Sequence, residues 1–376
     1  MRFLHLSDLH IGRRLNGFSL LEDQRAMLEQ ALAMAQSCHA VLLAGDLYDK
    51  AQPSAEAIRL MSDFLVRLSR LNKPVFAVSG NHDSAEQVAY CRELLGECGV
   101  WMSPVFDGKL HCHTLQDEWG EVCVWLLPFV RPASVRPFAS AVKTYEDAVR
   151  FALSTADVQD GRRHVLVAHQ YVSGADICES EMRLIGGVDQ VSLSAFDGFD
   201  YVALGHLHSP QRLDGGRVCY AGSPIPYSVS EEHQRKAALV AELQQKGSLT
   251  VEALPFQPLR QLRTVTGTLQ DIADPALYSE DYVYAVLTDE GALMDPLGAL
   301  RLTYPNLIGM RIQNSRTNTE AAAIENTSAA DLSPLEHFSA FYQAQNHQQP
   351  LDERRTAMMK QILEEAEAKR YAPTHP

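Results

Sequence analysis

The stretch Phe3-Leu4-His5-Leu6-Ser7-Asp8-Leu9-His10 sets the fold. A short, mostly apolar run ends directly in side chains of the kind that ligate metals. The pattern recurs four times. Val41-Leu42-Leu43-Ala44 precedes Gly45-Asp46, and Val75-Phe76-Ala77-Val78 precedes Gly80-Asn81-His82-Asp83. Val165-Leu166-Val167-Ala168 precedes His169, and Tyr201-Val202-Ala203-Leu204 precedes Gly205-His206-Leu207-His208. Apolar runs bounded by turn residues read as buried strands. Open sheets carry their chemistry just beyond the carboxyl ends of such strands. Five strands that deliver Asp, Asn and His to one edge have the pattern of a metal site.

Between these runs the spacing predicts helices over Ser19–His39, Ser54–Leu71 and Ser84–Gly99, the last started by Ser84 and stopped by Gly99. The order β-α-β-α-β implies parallel strands with right-handed crossovers. After about Gly108 the texture changes. Leu110–Leu115 and Glu121–Leu127 follow without long helices, so a second, partly antiparallel sheet is expected. Val218–Tyr220, Ala237–Leu243 and Leu249–Ala253 read as closing strands and a hairpin, and this core should end near Pro258. Residues 262–315 read as a smaller α+β unit, with strands at Leu262–Val265, Tyr282–Leu287 and Leu307–Ile312 and a helix at Pro296–Tyr304. Asn314–Ser333 has linker composition. Ser333-Pro334-Leu335-Glu336 is a capping box, and it opens a helix striped by Leu335, Phe338, Phe341 and Tyr342. A second amphipathic helix starts at Leu351 and presents Met358, Met359, Ile362, Leu363 and Ala366. Such a pair either packs back on its own core or docks in a groove of another protein.

The 376 residues suffice for a large core and more than one domain, and 46% hydrophobic with 21% charged content is that of a globular chain. No apolar stretch approaches the roughly 20 residues of a membrane span. Met1-Arg2-Phe3-Leu4 runs straight into a strand without a signal-peptide pattern. Seven scattered cysteines with no CxxC fit free thiols in a reducing cytoplasm. The net charge of −14 argues against an autonomous, tight nucleic-acid binder. Were DNA the substrate, a more basic partner would supply part of the grip.

The donors Asp8, His10, Asp46, Asn81, His169, His206 and His208 exceed what one ion takes. Asp8 and His10, like His206 and His208, are spaced i, i+2, so in extended backbone each pair points one way. The set suits two ions with Asp46 as the bridging carboxylate. Mixed imidazole and carboxylate donors without cysteine suit Mn, Fe or catalytic Zn. Two cations about 3.5–4 Å apart serve phosphoryl displacement. His82, beside Asn81, is then placed to protonate the leaving oxygen, and Asp83 or Asp49 could hold its other ring nitrogen. Arg13 and Arg14 are candidates for phosphate contact, against the alternative of solvated arginines. Taken singly each of these residues could be an ordinary polar group; it is the set that argues. His111-Cys112-His113 lacks a carboxylate and a second cluster, Ser223 lacks a GxSxG frame, and no P-loop occurs, so ATP hydrolysis would have to come from a partner.

These residues also carry a resemblance. Asp8-x-His10, Gly45-Asp46-x-x-Asp49, Gly80-Asn81-His82-Asp83, His169 and Gly205-His206-x-His208 together resemble the calcineurin-like metallophosphoesterase signature. Ala168-His169-Gln170, Ala203–Gln211 and Tyr220–Pro226 resemble the SbcD family more narrowly. The resemblance is close from Met1 to about Phe256 and looser over 262–315. It implies an α/β fold: a four-layer α/β/β/α metallophosphoesterase sandwich at 1–258 and a small α+β capping domain at 259–315. A linker at 316–332 would then lead to a C-terminal two-helix tail at 333–370. It puts Asp8, His10, Asp46 and His208 on one ion and Asp46, Asn81, His169 and His206 on the other, with His82 catalytic. The favoured ions would be two Mn2+, with Mg2+, Fe or Zn as substitutes. It further implies a nuclease subunit, a 3′→5′ exonuclease on duplex DNA and endonuclease on single strands or hairpins, serving DNA repair, replication and recombination. The tail would dock on an SbcC-like ATPase, within a heterotetramer built on a homodimer, at the bacterial nucleoid in the cytoplasm. Two rival readings remain: a stand-alone phosphodiesterase or phosphatase on a small substrate, and a DNA-tethering scaffold without activity.

Overall fold

A computed structural model describes residues 1–176, 190–315, 334–345 and 350–370. The expected linker 316–332 and the capping residue Ser333 lie outside these residues. The strands Arg2–Leu6, Ala40–Ala44, Val75–Val78 and Val100–Met102 pair parallel in that order. On the other side of Arg2–Leu6 the hairpin Ala237–Leu243 and Leu249–Pro255 completes a six-stranded sheet, both pairings antiparallel. Helices Leu21–Ala35 and Ala55–Ser69 are the crossovers. The second starts where predicted, because Ser54 accepts the Ala57 N–H at 3.2 Å. The predicted third helix is divided into Ala85–Val88 and Arg92–Glu97. Cys91 sits at φ +56°, which stops one helix and starts the next, so Val88 stays buried while Tyr90 is exposed.

A second six-stranded sheet runs Gln211–Leu213, Val218–Tyr220, Tyr201–Gly205, Arg163–His169, Gly120–Leu127 and His111–Asp117. Its four central strands are parallel and its two edges antiparallel. The central strands read as continuous apolar runs because both faces are covered. Phe3, Leu42, Phe76 and Leu239 of the first sheet share one buried cluster with Val124, Val165, Tyr201 and Ala203 of the second, so the sheets pack face to face. On the far face of the second sheet, Val149 and Ala152 of helix Tyr145–Leu153 pack with Leu166 and Val202. His5, inside the sandwich, links the sheets through Tyr201 OH (2.8 Å) and the Leu204 carbonyl (3.1 Å).

The chain separates into two compact units, Met1–Thr264 with Glu280–Val283, and Val265–Ser279 with Tyr284–Pro376. The first therefore runs past the predicted boundary at 258 and takes back a short return segment. Polar ties explain the extension: Thr264 donates N–H and Oγ1–H to the Glu232 carboxylate at 2.7 and 2.6 Å, and Tyr282 OH donates to Asp23 at 2.8 Å. The strands Leu262–Gly267, Tyr282–Leu287 and Leu307–Ile312 form a three-stranded sheet in that order, and helix Pro296–Thr303 follows the middle strand. The tail forms helices Pro334–Gln345 and Glu353–Arg370, with Phe341, Met358 and Ile362 exposed. Among the described residues no helix is long and apolar enough to cross a membrane.

One buried arginine ties loops of both sheets. Arg163 donates to the Asp117 carboxylate, to the Gly120 carbonyl (2.7 Å) and to the Gln244 carbonyl (2.7 Å). Burial works against a charge on Asp117, but Arg163 overrides it and holds the carboxyl well below its ordinary value. Arg163→Ala is expected to cost about 3 kcal/mol in urea unfolding, since it leaves the Gly120 and Gln244 carbonyls without the guanidinium and the Asp117 carboxylate with only the N-terminal ammonium and the Trp119 N–H. Because the folded carboxyl titrates below its unfolded value of about 3.9, the contribution is complete above that pH and fades as pH falls through the folded value. An unchanged unfolding midpoint in the variant would contradict this role.

Candidate metal centre

The two sheets bring five strand ends to one place. Leu6 pairs with Leu43 and Ala44 with Val78 in the first sheet, while Gly205 pairs with His169 in the second. Main-chain bonds then lock the loops beyond. Asp8 N donates to the Gly45 carbonyl at 3.1 Å and His10 N to the Asp46 carbonyl at 2.9 Å. Across the sandwich, His169 Nδ1 bonds the Ala44 carbonyl at 2.9 Å, and His206 N donates to Asp8 at 3.0 Å.

The i, i+2 pairs converge by a different route from the extended one predicted. Among the described residues nine non-glycine positions have positive φ, and four of them are Asp8 (+53°), His10 (+41°), Asp46 (+50°) and His206 (+111°). Strained left-handed turns, not extended backbone, aim these side chains. Such conformations persist only where the surroundings over-determine them, and the loop bonds above do so. Gly45 (φ +83°) and Gly80 leave the space: a Cβ on Gly45 would overlap the His169 ring, and one on Gly80 the Asp46 carboxylate.

All seven predicted donors meet. Potential ligand atoms of Asp8, His10 and His208 lie within 4.8 Å of one another, as do those of His10, Asp46 and His82, and those of Asp8, Asp46 and His169. Asp46 Oδ2 is 3.5 Å from both His10 Nε2 and His169 Nε2, a central place that a bridging carboxylate would need. Asn81 Oδ1 is 2.9 Å from His169 Nε2 and 2.9 Å from His206 Nδ1.

These residues fit a divalent cation. His169 Nδ1 donates its proton to Ala44, so neutral His169 presents a lone pair at Nε2 to the lone pairs of Asn81. Two acceptors at 2.9 Å need a positive species between them. Without a metal a proton takes that place: burial disfavours charge on His169, but the Asp46 carboxylate outweighs it and raises the imidazole to about 9. Both ring nitrogens of His10 are buried with no hydrogen-bond partner among the described residues. Burial raises the Asp8 carboxyl to about 6 and lowers His206 to about 3. Oxygen and imidazole donors without a thiolate suit hard to borderline divalent ions.

His82 is half-buried, its ring 4.8 Å from that of His10. Its Nδ1 is held at 3.1 Å by the main-chain carbonyl of Asp49, not by the carboxylate of Asp49 or Asp83. Both carboxylates are committed elsewhere. Asp49 accepts from Arg13 at 2.8 Å, and Asp83 takes the main-chain N–H groups of Leu47, Tyr48 and Gly80 at 2.9–3.1 Å. Arg13 also lies 5.5 Å over the Tyr227 ring, and Arg14 donates to the Gly17 carbonyl. Both line a cleft of about 670 Å3 shared with Lys50. Of the decoys, His113 stacks on Trp101 at 4.2 Å and His111 pairs with Asp107.

Sequence reasoning missed two supports. Gln24 is fully buried; its amide donates to the Leu9 and His10 carbonyls at 3.2 and 2.7 Å and accepts the Gly12 N–H at 2.9 Å. Tyr227 donates its hydroxyl to the Leu9 carbonyl at 2.5 Å and packs edge-on against His10 and His208. The available signal was Gln24 on the buried stripe of its helix, a polar residue where periodicity calls for an apolar one.

Residues 1–210 match the family described as calcineurin-like phosphoesterase, and residues 255–346 match the type 5 capsule protein repressor C-terminal domain. The SbcD component of the nuclease SbcCD from Staphylococcus epidermidis is 30% identical over 323 residues, covering 82% of this chain and 85% of that protein. The crystal structure of TT1561 from Thermus thermophilus aligns over 67% of this chain and 98% of its own, with 14% identity and a TM-score of 0.38.

The buried carboxyls set a pH dependence. A folded-state value of about 6 for Asp8, against about 3.9 unfolded, means the metal-free native state binds the extra proton. The contributions of Asp8 and of Asp83, which burial and Asp46 also raise to about 6, therefore fall as pH rises from about 4 to 6, while buried His5 and His206, both lowered to about 3, contribute stability that rises over the same window. Asp8→Asn is expected to remove the falling Asp8 contribution, so that metal-free stability of the variant rises more steeply with pH over that window than that of wild type. It should also remove most of the stabilisation by Mn2+, about 2.7 kcal/mol at 100 times the dissociation constant. Thermal melts with chelator and with Mn2+ read both; an undiminished Mn2+ shift in the variant would exclude Asp8 as a ligand.

Proposed function

The chain belongs to the SbcD family of calcineurin-like metallophosphoesterases, a metal-dependent phosphodiester hydrolase, and from that premise we propose that it is the nuclease subunit of an SbcCD-type complex. Its substrate is DNA, and Mn2+ is its working ion. It acts as a 3′→5′ exonuclease on duplex ends and as an endonuclease on single strands and hairpins, in DNA repair, replication and recombination. The observation that carries the reading is the meeting of seven potential donors, five of them buried, with Asn81 Oδ1 2.9 Å from both His169 Nε2 and His206 Nδ1.

In this reading Asp8, His10, Asp46 and His208 hold one ion, and Asp46, Asn81, His169 and His206 the other. A bound pair of divalent ions supplies charge neutralisation at the phosphate and a nucleophile at neutral pH. The chain's own residues do the rest. The Asp49 carbonyl takes the Nδ1 proton of His82, so a proton carried at Nε2 is free to pass to the leaving oxygen. Arg13, Arg14 and Lys50 offer cationic contacts to flanking phosphates in a chain of net charge −14. Residues 259–315 act as a capping domain, and residues 333–370 dock on the SbcC-like ATPase, which supplies the ATP hydrolysis this sequence lacks. The exposed Phe341, Met358 and Ile362 support the docking role. A homodimer would use the apolar cleft between helices Ala55–Ser69 and Arg92–Glu97, lined by Ile58, Val66, Tyr90 and Leu95.

His82→Ala is expected to keep the Mn2+-dependent rise in melting temperature and to lose about 10²–10⁴-fold in cleavage of a DNA hairpin. Cleavage at a near wild-type rate would remove His82 from catalysis. Hairpin turnover well above that of bis-p-nitrophenyl phosphate is expected of a nuclease; the reverse ranking would favour a small-substrate phosphodiesterase. In pull-downs an SbcC-type ATPase should retain the full chain and release a version ending at residue 330. Equal retention of both would place the docking surface elsewhere.

A further inference from the structure

His208 is gripped at both ends. Its Nδ1 is 3.0 Å from Glu231 Oε1, and its main-chain carbonyl accepts from Lys236 Nζ at 2.9 Å and from Ser223 N at 3.1 Å. The three gripping residues are themselves connected. Lys236 Nζ donates to Glu231 Oε2 at 2.7 Å and to Ser223 Oγ at 2.7 Å, and the Tyr227 N–H donates to Glu231 Oε2 at 3.2 Å. Glu231 and Ser223 are fully buried, and Lys236 is nearly so.

An ion pair this deep is a poor source of stability, because desolvation of both charges offsets their attraction. Its geometry points to another use. A carboxylate facing His208 Nδ1 requires a proton there, which leaves Nε2 as a bare donor. His208 belongs to the group formed with Asp8 and His10. Resting on the metal-centre reading above, we infer that Glu231 is a positioning residue that fixes the tautomer and direction of His208 as a metal ligand, with Lys236 and Ser223 holding Glu231 and the His208 backbone in register. Negative charge at Nδ1 also makes Nε2 a stronger donor, the general effect of a carboxylate behind a ligating imidazole. Of the four histidine donors, His169 is instead backed by a neutral carbonyl, and the ring nitrogens of His10 have no hydrogen-bond partner among the described residues. Glu231 therefore tunes one side of the centre only.

The test is calorimetric Mn2+ titration of the full chain. Glu231→Gln alone strands the Lys236 ammonium, so the charge-balanced E231Q/K236M protein is compared with it and with wild type. One of two Mn2+ sites is expected to weaken 10–100-fold while the other keeps its affinity. Cleavage at limiting Mn2+ should fall in kcat with little change in KM for the DNA, and excess Mn2+ should restore it. A purely structural ion pair would lower thermal stability and leave site affinities alone. Wild-type affinity at both sites in folded E231Q/K236M, or equal loss at both, would overturn the inference. Failure of the wild-type protein itself to bind Mn2+ would instead overturn the metal centre on which the inference rests.

Discussion

The structure depends on holding mutually ill-matched polar groups together out of water. Two carboxylates, four imidazoles and an amide meet at the junction of two sheets, and both ring nitrogens of His10 have no hydrogen-bond partner among the described residues. Left alone, such a cluster costs free energy, as the raised carboxyl of Asp8 and the lowered imidazole of His206 register. What keeps it assembled is the apolar sandwich behind it. Phe3, Leu42, Phe76, Val165 and Tyr201 are almost completely buried between the sheets and fix the strand ends to which the loops are tied. The strained turns at Asp8, His10, Asp46 and His206 are tolerable because that base is rigid.

Much of this was legible in the sequence because the information was periodic and local. A buried parallel strand must be an uninterrupted apolar run, and a loop leaving it must turn, so Val41–Ala44 followed by Gly45-Asp46 could be read without a structure. The identity of the converging residues followed from their chemical type. What escaped were features set by tertiary contact. The helix expected over Ser84–Gly99 breaks at Cys91, which no local signal marks. The ring nitrogen of His82 finds a main-chain carbonyl, a partner invisible in side-chain identities. Asp8 and His10 point together through left-handed turns, although spacing alone suggested an extended pair. The partners of Gln24 and Glu231 were unreadable because their bonds span 12–15 and 23 residues to groups that any sequence contains.

Charge is distributed unevenly in a way that composition hid. The chain is strongly acidic overall, yet Arg13, Arg14 and Lys50 collect along one cleft next to His10 and Asp49. Arg13 is braced by Asp49 and by the face of Tyr227, the same ring that packs against His10 and His208. The cationic cleft and the donor cluster thus share supporting residues, and a change in one is felt in the other. Such coupling runs through direct packing and needs no longer path.

The first strand lies between Ala40–Ala44 on one side and Ala237–Leu243 on the other. Synthesis reaches Ala40, one partner of Phe3, early, but the other, Ala241, only after more than half of the polypeptide has emerged, together with the lysine behind His208. A ribosome-bound fragment owns Asp8, Asp46 and Asn81, and the four parallel strands that carry them, well before it owns the second sheet that supplies His169, His206 and His208. The donor cluster is in this sense completed late in translation: a chain stalled before residue 169 carries Asp8, Asp46 and Asn81 without any of those three imidazoles.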